Sequence, residues 1–92
     1  MSADLNAAAL AAIGPIDAGS EAGPLQPFAR LVTFLREQAG SVSKETLIVV
    51  AETAWDFVAK FNFPQVPDAI EIPLKAWLRA QIRPLIESLY AS

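Results

Sequence analysis

The stretch Ser43-Lys-Glu-Thr-Leu-Ile-Val-Val-Ala-Glu-Thr-Ala-Trp-Asp-Phe-Val-Ala-Lys-Phe61 decides the fold class. Ser43 is a natural N-cap, Glu45 suits the positive end of a helix dipole, and Val42 with Leu47 occupy the positions of a hydrophobic staple. At about 100° per residue, Leu47, Val50, Ala51, Ala54, Phe57, Val58 and Phe61 share one wide face, while Glu45, Glu52, Asp56 and Lys60 form a narrow polar strip. Ile48, Val49 and Trp55 fall outside the main face, beside or within that strip. A helix this apolar is central, with neighbours on more than one side.

On either side of it the pattern is again helical. From Leu25 to Ala39, Phe28, Leu31, Val32, Leu35 and Ala39 recur at three- and four-residue spacing, with Pro24 and Pro27 at the start and Gly40 at the stop. Phe34 lies off that arc, between Arg30 and Glu37. Pro64, Pro67 and Pro73 interrupt the chain after Phe61, and a helix starting at Asp68 would turn Glu71 into the apolar face and cost a backbone bond at Pro73. The sequence therefore predicts the last helix from Pro73, with Leu74, Leu78, Ile82, Leu85 and Leu89 on one face and continuing past a bend at Pro84. No repeat and no strand pattern emerges.

The fold expected is all-α: three main amphipathic helices, at about 25–39, 44–61 and 73–90, following a loosely ordered Ala-rich helix or arm. In domain terms, residues 1–24 are an N-terminal arm, a short helix 3–13 plus a Gly/Pro linker 14–24, and residues 25–92 are the helical domain.

Composition narrows function by exclusion. The 92 residues include no Cys and no His, which removes thiol chemistry, disulfides and imidazole catalysis. Seven basic and ten acidic residues give a net charge of −3, and residues 30–92 carry seven of each sign. A neutral body with an acidic leader has no attraction for phosphate backbones, so nucleic acid is not an expected partner. The leader lacks a basic n-region, and the most apolar run, Leu47 to Val58, contains Glu52 and Asp56. It falls well short of the roughly 18 to 20 apolar residues of a membrane span, so a cytoplasmic protein without a transmembrane segment is expected.

No constellation reads as catalytic, metal-binding or cofactor-binding. Glu52 and Asp56 are two carboxylates on one helix with no second acidic motif to complete a site, and Lys60 stands four residues beyond Asp56 to pair with it. Pro64-Gln-Val-Pro67 matches a minimal P-x-x-P pattern but reads as loop punctuation. Lys75, Arg79 and Arg83 form a ridge that could hold an anion, an acidic partner or a lipid surface, although Glu71 and Glu87 stand one turn away at either end.

The apolar excess is the positive feature. Residues 25–92 contain 27 large apolar side chains, while a domain of about 60 residues buries only around 60% of its unfolded surface. The misfits Phe34, Ile48, Val49, Trp55 and Trp77 are therefore the expected contact surface of a helical assembly module that self-associates or docks on a protein partner. Two other readings compete. In one, the last helix attaches to a membrane surface with Lys75, Arg79 and Arg83 near anionic headgroups. In the other, Phe57, Phe61, Phe63 and Trp77 line a pocket for a small apolar ligand.

Overall fold

The computed structural model describes residues 2–91, which form four helices: α1 (Ser2–Ile13), α2 (Leu25–Gln38), α3 (Lys44–Ala59) and α4 (Asp68–Leu89). Among the described residues there is no strand, only a single backbone bridge between Ala39 and Val42 in the α2–α3 turn. The all-α expectation holds, with α3 at the centre and packed against the other three helices.

α3 begins where the sequence places it. Ser43 Oγ accepts the Thr46 N–H at 3.2 Å, the bond that defines a side-chain N-cap. Seven of its residues are buried, including Ile48 and Trp55. The indole of Trp55 donates to the Lys75 carbonyl at 3.1 Å and meets the Phe28 ring edge-on at 5.2 Å. One side chain thereby ties α3 to both α4 and α2, and its only polar atom is satisfied.

The expected loose arm is instead a packed helix. α1 lies against α2 and α3, and Ala9 and Ile13 belong to the same buried cluster as Leu31, Leu47 and Trp55. Arg30 of α2 closes its C-terminus, donating to the Ile13 carbonyl at 2.9 Å and to that of Pro15 at 3.4 Å. Gly14 follows at φ +71°, the left-handed conformation that ends many helices. Few large residues are needed to hold α1, because alanines allow close approach.

The linker is equally fixed in place. Gly23 and Pro24 are buried, and a Cβ added to Gly23 would lie 2.6 Å from Val66 Cγ2. This contact joins residues 14–24 to the loop between α3 and α4. At the other end of the molecule the Tyr90 hydroxyl donates to the Val42 carbonyl at 2.6 Å.

α4 starts at Asp68, five residues before the expected Pro73. Both objections to that start are real, and both are met. Pro73 lies on the exposed side, so the Ala69 carbonyl left without its helical donor is beside solvent. Pro84, also exposed, lies eleven positions further, within about 20° on the helical wheel. Glu71 does turn into the apolar face and is buried, and its compensation comes from Lys75 one turn on and from the Phe63 N–H in the preceding loop.

Candidate interaction surface

The buried carboxylate of Glu71 is the centre of an internal polar cluster. Its Oε1 accepts the Phe63 N–H at 3.1 Å, and its Oε2 pairs with Lys75 Nζ at 2.5 Å. Lys75 also donates to the Ala59 carbonyl at 3.0 Å and the Phe61 carbonyl at 2.6 Å, and its ammonium stands 5.2 Å from the centre of the Phe63 ring. The ammonium therefore closes the C-terminus of α3, where unpaired carbonyls collect negative charge. The hydrogen bond from Lys75 holds the Glu71 carboxyl below its ordinary pKa, outweighing burial, with the Phe63 N–H adding to the effect.

This cluster corrects the proposed cationic ridge. Lys75 faces inward and is spent on α3 and Glu71. Arg79 pairs with Asp56 through Nε at 2.7 Å and Nη2 at 3.3 Å, which raises the guanidinium's pKa. Asp56 thus pairs across to α4 and not with Lys60. Only Arg83 of the three enters no ion pair among the described residues.

The expected contact residues divide in the same way. Phe34, Ile48 and Trp55 are only 5%, 3% and 0% exposed and belong to the core. The reason is that α2 and α3 each pack against the other three helices: Trp55 is covered between α2 and α4, where it meets Phe28 and the Lys75 carbonyl, and Ile48 lies toward Arg83 and Glu87 of α4. Val49 and Trp77 remain outside, at 62% and 59% exposure. Trp77 stands with Ile70, Pro73, Ala80 and Pro84 on an exposed, uncharged strip of α4.

A second exposed apolar set, assigned by the sequence to the core or the arm, lies along the seam between α1 and α3. Phe57, 46% exposed, and Phe61 meet edge to face at 5.5 Å, and Leu10 of α1 is exposed beside them. A groove of about 310 Å³ is lined by Asn6, Leu10, Thr53, Ala54, Asp56, Phe57 and Lys60. Asn6 also borders a neighbouring groove of about 260 Å³, with Glu45, Thr46, Val49 and Val50 on its walls. The two meet at Asn6 in one furrow, along which Val49, Thr53 and Phe57 recur every fourth residue, with Phe61 next in the series beyond it. α1 contributes no charged side chain between Leu5 and Ile13. That uncharged run was the available signal in the sequence, since a surface helix ordinarily carries charge on its outer face.

The core arrangement bears on the competing readings. Leu78, Ile82 and Ile86 of α4 are buried against the bundle, so the face a membrane surface would take up is already occupied. Among the described residues no helix is long and apolar enough to cross a membrane. Phe57, Phe61 and Trp77 point outward and only Phe63 is buried, so the four aromatics do not converge on one interior pocket. Among the described residues no three carboxylates cluster as a metal ion would require. Compared with known proteins, the chain matches no family model, no curated protein and no solved structure.

Proposed function

We infer that this chain is a non-enzymatic helical interaction module, and that the α1–α3 furrow is the surface it covers with a protein partner. The observation that carries this reading is the exposed pair Val49 and Phe57 with Leu10, set in a concave seam whose α1 side is uncharged, and Phe61 packed edge to face on Phe57 beyond it. Concave apolar surface with aromatic side chains and a polar rim is what protein interfaces are made of. Asp56 and Lys60 supply that rim toward one end of the seam and Glu45 at the other. The ion pairs support the same reading, because Glu71 and Lys75 are engaged with one another and with backbone, and Arg79 with Asp56.

Site-specific photo-crosslinking in cells expressing the full chain tests it. A photoreactive side chain in place of Phe57 should capture a protein neighbour, while the same group in place of Ala76, exposed on α4, should not. Equal yields at both positions, or no adduct at Phe57, would overturn the reading.

A further inference from the structure

We propose, on the basis of that reading, that the partner in the furrow is a second copy of this chain, packed antiparallel about a two-fold axis beside Thr53. An interface of this kind repeats every contact twice, so it needs a patch complementary to itself under reversal. The exposed row of α3 has that property. Val49 and Phe57 stand four residues before and after Thr53, so reversal sets the Phe57 ring of one copy on the smaller Val49 of the other, twice. Thr53, exposed and compact, occupies the crossing point where two helices must approach most closely.

Charge supplies the second and independent observation. Glu45 lines one end of the furrow and Lys60 the other, about 22 Å apart along α3. Neither enters an ion pair among the described residues, whereas Asp56 between them is already matched by Arg79. An antiparallel partner brings Glu45 over Lys60 at both ends. A parallel partner would oppose like charges at both ends, so the arrangement selects orientation as well as contact. The alanines on the outer side of α1, Ala7, Ala8, Ala11 and Ala12, are exposed and leave the partner room to approach.

The seam is about 24 Å long and two helices wide, so it covers on the order of 500 Å² per copy, the lower end of specific interfaces, and a micromolar dimer is expected. Sedimentation equilibrium of the full chain should show a monomer–dimer equilibrium. Phe57→Glu should raise the dissociation constant at least about tenfold with the helical circular dichroism retained. Val49→Lys, at a more exposed position, provides the same test should Phe57→Glu disturb folding.

Two further variants fix the geometry. Glu45→Lys and Lys60→Glu should each weaken the dimer by about fivefold, and the double variant should restore it, because the two positions are too distant to meet within one copy. The chain has no cysteine, so Thr53→Cys should oxidise to a covalent dimer while Ala76→Cys should not. A strict monomer at about 500 µM would overturn the self-association, as would a Phe57 photo-adduct with a different protein, which still supports the interaction-module reading. A dimer unaffected by Phe57→Glu and Val49→Lys, or one with no rescue in the double charge variant, would overturn this interface.

Discussion

Two helix ends in this molecule are closed by the same device in opposite surroundings. The C-terminus of α1 receives Arg30 from α2, and the C-terminus of α3 receives Lys75 from α4. In each case a cation on the following helix reaches back to carbonyls that the helix itself cannot satisfy. Arg30 does so at the surface and in company with Gly14. Lys75 does so with its side chain only 13% exposed and with a carboxylate beside it that is buried in turn. Solvent stands in for a lost partner at the first site. At the second it does not, so removal of one member strands the others.

Lys75→Met should give the largest effect among substitutions at these ends. It leaves Glu71 buried without a counter-ion and the carbonyls of Ala59 and Phe61 without a donor, and a loss of about 3 kcal/mol or more in urea unfolding is expected. The acid limb of the stability curve reports the same cluster. Glu71 is held below its ordinary value of 4.5, so its contribution is complete above that pH and is lost as pH falls through the lower folded-state value. Glu71→Gln should therefore be less stable near neutral pH and should lack that part of the acid-side slope.

Gly23→Ala attacks the buried end from outside, because Gly23 rests on Val66 in the loop that Lys75 and Glu71 organise. A Cβ at φ +56° meeting a methyl group at 2.6 Å should cost about 2 kcal/mol, read as a shift in the urea midpoint. Arg30→Ala is expected to cost only about 1 kcal/mol, since water replaces it at the Ile13 and Pro15 carbonyls. A loss equal to that of Lys75→Met would break the comparison and would mean that closing the helix matters more than burial. The smallest effect should be that of Arg79→Ala. Its pair with Asp56 is about half exposed on both sides, and about 0.5 kcal/mol or less is expected, diminishing in high salt.

The same contrast explains which elements were legible in the sequence. α3 was, because its cap, its staple and its apolar run lie within a few residues of one another and all specify the same start. α2 was too, from its spacing and its bounding Pro and Gly. The start of α4 was not: the sequence shows an acidic residue aimed at an apolar face with Lys75 one turn on, but nothing local reveals that the Phe63 N–H and the last carbonyls of α3 will meet this pair inside the fold. α1 was underestimated for a related reason. Its large apolar residues look too few to anchor a helix, but Leu5 and Ile13 with Ala9 suffice when α2 and α3 already present a groove that an alanine can enter.

The candidate surface divides along the same line. Periodicity identified Phe34, Ile48, Val49 and Trp55 as residues that a single apolar face does not hold, and it identified Trp77 as marginal. Whether a residue off the main face is exposed depends on how many neighbours the helix has, and that number is a property of the assembled bundle. With all four helices packed together, Phe34, Ile48 and Trp55 are covered, and Phe57, Phe61 and Leu10 are left exposed.

The sequence by itself determined the helical class, the positions of α2 and α3, and the absence of thiol and imidazole chemistry, because these depend on residue identity and short-range spacing. Only the tertiary structure decided which apolar side chains face outward and which charges are already spent, because burial and pairing such as that of Asp56 with Arg79, or of Lys75 with the carbonyls of Ala59 and Phe61, depend on residues brought together from different helices and loops.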